Sequence, residues 1–119
     1  MHKIYFLSSC STCQRIIKEI QPAGKFEMQD IKTQKITSPQ LDEMAKRAGS
    51  FEKLFSRVAL KYKSMKLKEK NLGEKEYRQL ILDEYTFLKR PVIIINNKIF
   101  IGNSPSTITE LKSEIARKL

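Results

Sequence analysis

Soft metal donors are scarce in this sequence: 119 residues hold two cysteines, Cys10 and Cys13, and one histidine, His2. A structural zinc site takes about four such ligands, so a zinc-organised fold is set aside and no metal site is expected. Long apolar runs are missing too. Even Val92–Ile95, as long as any, falls far short of the roughly 18 residues that span a bilayer. Ile4–Leu7 is too brief for the apolar part of a secretion signal. Low-complexity tracts, internal repeats and linker-like stretches are also absent. These absences point to one cytoplasmic domain, 1–119, with no membrane partner. In that compartment a C-x-x-C pair reads as redox or metal chemistry rather than a permanent disulfide.

What is present suits a folded globular chain: 40% hydrophobic and 30% charged residues, enough for a core without staples. The net charge is +10, spread along the chain and carried mostly by lysine. The densest cluster, Lys61–Lys70, has five lysines and one glutamate. No helix-turn-helix, zinc-finger or RNA-binding signature accompanies it, so it reads as a solvated face, with no direct nucleic-acid contact expected. A basic surface equally suits an anionic substrate.

The apolar pattern predicts an order of elements. Lys3–Leu7 is β-branched and aromatic enough for a buried strand. Ser8 to Thr12 breaks it with small polar residues, and Ile16, Ile17 and Ile20 then keep helical spacing from Cys13 until Pro22 and Gly24. Lys25–Ile31 reads as a half-buried strand, giving β-α-β with parallel neighbours. The middle is helical. Ser38 is expected as N-cap with Pro39 at the first helical position, and Gly49 closes that segment. A short turn over Ser50–Phe55, a helix over Val58–Lys70 and a clearer amphipathic helix over Glu74–Tyr85 follow. Val92–Ile95, the turn Asn96-Asn97 and Lys98–Ile101 form a hairpin. Ser104-Pro105 opens a last helix through Ile108, Leu111, Ile115 and Leu119.

Chemistry concentrates at Cys10-Ser11-Thr12-Cys13. A thiol at a helix N-terminus faces unpaired backbone N–H groups and the positive end of the helix dipole, both of which favour thiolate. A second thiol one turn later can attack a mixed disulfide and release its partner. The plain alternative is two inert cysteines packed as small hydrophobes. The second constellation is Arg90-Pro91 at the entrance of Val92–Ile95. Pro91 reads either as an ordinary strand-start residue or as a cis-proline beside the thiol, with Arg90 suited to bidentate binding of an oxyanion.

These pieces, with Leu54-Phe55-Ser56-Arg57, Tyr62, Leu67, Leu88-Lys89-Arg90-Pro91-Val92-Ile93-Ile94 and Ile101-Gly102-Asn103, resemble the arsenate reductase family of the thioredoxin-like superfamily, which includes Spx-type regulators. The resemblance runs over nearly the whole chain. It implies an α/β thioredoxin-like sheet, β-α-β then β-β-α, with a helical insertion at about 38–85 between the second and third strands. It further implies Cys10 as nucleophile, with Ser11, Thr12, Arg57, Arg90 and Pro91 forming the oxyanion site. Cys13 or an external thiol would resolve the adduct, with glutathione as co-substrate, no tightly bound cofactor, and glutaredoxin or thioredoxin as partner. Under the regulator form, Cys10 and Cys13 make a redox switch and the partner is RNA polymerase; a general disulfide or glutathione-linked oxidoreductase is the other alternative. Phe6 stands where glutaredoxin-coupled reductases carry a histidine, and Gly102-Asn103-Ser104 offers no third arginine.

Overall fold

The computed structural model describes residues 1–20 and 26–118. Contacts divide the chain into two compact units, one of Met1–Gln34 with Arg90–Leu119 and one of Lys35–Lys89.

The first unit is built on a mixed four-stranded sheet of order β2-β1-β3-β4. Strand β1 (His2–Phe6) leads through helix α1 (Ser11–Ile20) to β2 (Glu27–Asp30), which pairs parallel with β1. Strands β3 (Val92–Ile95) and β4 (Lys98–Ile101) form a hairpin, and β3 lies antiparallel to β1 with Ile4 opposite Ile93. The turn rests on Asn96, whose φ of 55° is left-handed, a conformation asparagine tolerates better than most residues. One sheet face carries the core. Ile4 of β1 and Ile93 and Ile95 of β3 meet Ile16, Ile17 and Ile20 of α1. Leu111 and Ile115 of the final helix enter the same cluster. The spacing of these isoleucines therefore fixes which side of α1 faces inward, and with it the direction in which the start of α1 points. Lys112 and Glu19 join the two helices at 2.9 Å outside the core.

The second unit is helical: α2 (Ser38–Ala48), α3 (Leu60–Ser64) and α4 (Glu74–Asp83), separated by 3-10 turns at Glu52–Leu54, Leu67–Glu69 and Tyr85–Phe87. Its centre is aromatic. Phe55 stacks on Phe87 at 5.0 Å and tilts against Tyr77 at 4.9 Å and Tyr62 at 6.0 Å. Helix α5 (Pro105–Lys118) closes the first unit, with Ser104 accepting from Thr107 N–H at 3.2 Å.

Several expectations shift. The N-cap of α2 is Thr37, not Ser38: its hydroxyl accepts from Gln40 N–H at 3.2 Å, while the Gln40 side chain accepts from Thr37 N–H at 3.1 Å. That reciprocal pair holds the first turn, so Pro39 falls one place later than expected. The expected helix over Val58–Lys70 is two short pieces. Val58 and Leu60 are 92% and 88% exposed, so they do not form the buried stripe a longer helix needs. Lys66, with a left-handed φ of 54°, interrupts the chain between the pieces. Helix α4 stops at Asp83 because Glu84 is extended, and the Glu84 carboxylate caps the next turn through Thr86 N–H. In β2 the buried residue is Gln29, whose amide donates to Gln34 O at 3.0 Å. The strands β1 and β2 are displaced or shortened at their ends relative to the pattern, and α1 begins two residues before Cys13. Pro22, Gly24, Lys25 and Leu119 lie outside the described residues. Among the described residues no helix is long and apolar enough to cross a membrane.

Ile16 is fully buried between α1 and the sheet. Ile16→Ala should lower unfolding free energy by about 3 kcal/mol, combining lost transfer energy with the cavity left behind. Urea denaturation followed by circular dichroism measures the loss.

Candidate functional site

Parallel pairing of β1 and β2 makes the C-terminal ends of both strands and the start of α1 neighbours, and Cys10 stands at that junction. The loop is held by its backbone. Cys10 N–H donates to Leu7 O at 3.0 Å, and Gln14 N–H donates to Cys10 O at 3.1 Å as the first turn of α1. The Gln14 amide also donates to Ser8 O at 3.0 Å, and Ser8 N–H reaches Asp30 at 3.4 Å. Asp30 ends β2, and bonds from Ser8, with Lys32 N–H assisting against a desolvation cost, keep its carboxyl below the usual range. Gln14 and Asp30 were not expected as site residues. The signal for Asp30 is topological: the ends of adjacent parallel strands meet at the crossover.

The two thiols differ. Cys10 is partly exposed and Cys13 is fully buried, and both are free thiols. Burial pushes the Cys10 thiol up, yet opposing effects outweigh it and bring it below its ordinary value. These are the Cys13 backbone N–H, the Cys13 thiol, the Arg90 charge and the Thr12 backbone N–H. The first and last are helix-terminal donors with no partner inside the helix. Cys13 moves the other way, pushed up to about 11, chiefly by burial, with the bond to Cys10 and the Cys10 charge adding to it. Leu7 N–H and Arg90 oppose this without reversing it.

Arg90 is half-buried just before β3, and the Arg90–Pro91 peptide bond is cis. Its charge favours the ionised form of both cysteines. Pro91 is buried, and its carbonyl accepts from Gly102 N–H at 2.9 Å, tying the strand entrance to the end of β4. Ser11 and Thr12 open α1. The first unit therefore gathers Cys10, Ser11, Thr12, Cys13, Arg90 and Pro91. Phe6 packs against the core and contributes bulk without charge.

Arg57 is built into the helical unit instead. It follows the pairing of Phe55 with Leu88, where Ser56 N–H donates to Phe87 O at 2.7 Å and Lys89 N–H to Leu54 O at 2.9 Å. Its Nη2 donates to Glu52 Oε2 and to the Tyr77 hydroxyl, both at 2.9 Å, and its guanidinium carbon lies 5.6 Å from the Tyr77 ring centroid. Partial burial works against the charge, but Glu52 and Tyr77 hold it more firmly than an ordinary arginine. Neither partner is singled out by the sequence: Tyr77 is 20 residues from Arg57, and Glu52, though five residues away, is an ordinary surface carboxylate until the contact is seen. Among the described residues, no three His, Cys, Asp or Glu side chains cluster to hold a metal ion.

A model of the ArsC family matches residues 5–111. The chain belongs to the ArsC family. That family includes arsenate reductases and non-enzymatic Spx-like members. The uncharacterized protein YusI of Bacillus subtilis (strain 168) is 27% identical over 103 residues, spanning 82% of this chain and 86% of that one. A solution structure from Staphylococcus aureus COL superposes with a TM-score of 0.76 at 27% identity, over 92% of this chain and 97% of that one. The arsenate reductase from Vibrio cholerae superposes at 0.78 with 15% identity, over 92% and 95%, a likeness of fold. The sheet with its helical insertion is thus the ArsC, thioredoxin-like architecture.

The unequal thiols give a direct test. A lowered pKa places the rise of thiolate, and of alkylation rate, at lower pH than for a free cysteine of about 8.5. Iodoacetamide should label Cys10 along such a profile and leave Cys13 unlabelled at neutral pH. Removing the Arg90 charge withdraws stabilisation from the thiolate, so Arg90→Ala should move the profile to higher pH. Mass spectrometry of each peptide across pH reads all three outcomes.

Proposed function

We propose that this ArsC-family chain is a thiol-dependent reductase of the arsenate reductase kind, with Cys10 as its nucleophile. The observation that carries the reading is the contrast between two thiols one helical turn apart, one partly exposed and shifted toward thiolate, the other buried and protonated. In the reaction the Cys10 thiolate attacks pentavalent arsenic, a sulfur–arsenic bond forms, the bond from arsenic to one hydroxyl breaks, and that hydroxyl takes a proton from solvent and leaves as water. A second thiol then attacks the Cys10 sulfur. The sulfur–arsenic electron pair stays on arsenic, which leaves as trivalent arsenite, and the two sulfurs become a disulfide. The two electrons come from the two thiols.

Ser11 and Thr12 at the start of α1 and Arg90 beside the thiol serve as oxyanion ligands in the first unit, arginine being suited to such charge-assisted bonds; Arg57, within the helical unit, is an oxyanion ligand by the family resemblance. Because Cys13 keeps its proton at neutral pH, it is a slow attacking thiol. Glutathione therefore resolves the adduct first, with glutaredoxin or thioredoxin restoring Cys10. A second reading, a redox-switched regulator of the Spx kind that engages RNA polymerase, draws on the hydrogen bond between the Cys13 and Cys10 side chains. There the disulfide between the two is the signal.

Arsenite production with arsenate, glutathione and glutaredoxin tests the enzyme reading. The wild type and Cys13→Ser should turn over at similar rates, and Cys10→Ser should be inactive. No turnover above the Cys10→Ser control removes the arsenate reading. For the regulator, partner binding must differ between reduced and oxidised protein, and an identical pull-down from both states excludes it.

A further inference from the structure

We propose that Glu52 and Tyr77 set the anion selectivity of Arg57: Glu52 occupies the guanidinium as a displaceable internal carboxylate, and Tyr77 anchors it while an oxyanion takes the carboxylate's position. The inference rests on the reading of Arg57 as an oxyanion ligand.

Both partners bond to the same nitrogen, Nη2. The two differ in how firmly they are held. Tyr77 is buried, with its ring against Phe55, and its hydroxyl is a fixed point. The Glu52 side chain is 57% exposed and that of Arg57 45%, so the pair is screened by water and weakly bound. One side of Arg57 is therefore permanent and the other exchangeable. Helix α4 supplies both. Tyr77 projects from it directly, and Glu74 at its start accepts from Phe51 N–H at 2.6 Å and Glu52 N–H at 3.0 Å, fixing the backbone from which the Glu52 carboxylate reaches.

This arrangement sorts anions by charge. A monoanion meeting Arg57 exchanges one negative charge for another and gains little. A tetrahedral dianion brings a second charge and further acceptor oxygens, so it displaces Glu52. Once displaced, Glu52 remains tethered close by, and its repulsion penalises every bound anion. That repulsion grows with the anion's charge, so removing the Glu52 charge should strengthen anion binding in general and dianion binding most.

Isothermal titration of the full chain with arsenate, with inorganic phosphate and with formate as a monoanion tests this. Glu52→Gln should bind arsenate and phosphate about three- to fivefold more tightly, the ceiling set by the weakness of exposed ion pairs. Its affinity for formate, which carries less charge for Glu52 to repel, should rise by a smaller factor. Glu69→Gln changes net charge equally without touching Arg57, and should match wild type. Tyr77→Phe keeps the ring and removes the hydroxyl, and should weaken arsenate binding about threefold through loss of one hydrogen bond. Arg57→Ala separates this inference from the reading beneath it. If Arg57→Ala leaves arsenate binding unchanged, or wild type binds no arsenate, Arg57 is no oxyanion ligand and both fail. If Arg57→Ala weakens binding but Glu52→Gln behaves as Glu69→Gln, the ligand role stands and the competition by Glu52 is overturned. An unchanged Tyr77→Phe overturns the anchoring role.

Discussion

Parallel pairing of β1 with β2 is the constraint on which the first unit depends. Two parallel strands cannot be joined by a tight turn, so the chain must cross over, and α1 is that crossover. Three isoleucines then lock one side of α1 onto the sheet. With strand direction and helix face both fixed, the start of α1 has one place to lie, beside the C-terminal ends of β1 and β2. Cys10 takes its character from that position. The N–H groups of Thr12 and Cys13 that act on its sulfur belong to the helix end, and the loop bonds through Leu7, Gln14 and Asp30 hold it there. The chemistry of the thiol is thus a product of the crossover.

The sheet unit was legible from the chain because its signals are local and strong. Val92–Ile95 and Lys98–Ile101 with Asn96-Asn97 between them admit few other readings, and Ile16, Ile17 and Ile20 mark one helix face. The helical unit was less legible. From Val58 to Lys70 apolar and basic residues alternate at mixed spacing, and the structure answers with two short pieces whose order depends on Phe55 and Tyr62 packing, not on periodicity. The Ser38 cap was misplaced by one residue because threonine and serine compete for that role, and only the Gln40 side chain decides between them.

The candidate site divides in the same way. Cys10 and Cys13 sit in a motif whose spacing and place at a helix start carry meaning, whereas Pro91 reads equally as an ordinary strand start until the cis bond is seen. Arg57 was found through resemblance. Its partner Tyr77 was not, since a contact over 20 residues leaves no trace in local sequence, and Glu52, five residues away, looks like any exposed carboxylate. Asp30 was missed because a carboxylate at a strand end is ordinary until the strand pairing shows which loop it meets.

The burial of Cys13 has a consequence in terms of leaving groups. In a disulfide between Cys10 and Cys13, only the Cys10 sulfur is open to an incoming thiol, so attack there must expel Cys13 as thiolate. A thiol whose pKa is pushed up to about 11 departs slowly. Such a bond would be attacked from one side only and released reluctantly. Oxidation of this pair would persist after the oxidant is gone, for as long as the interior around Cys13 stays closed.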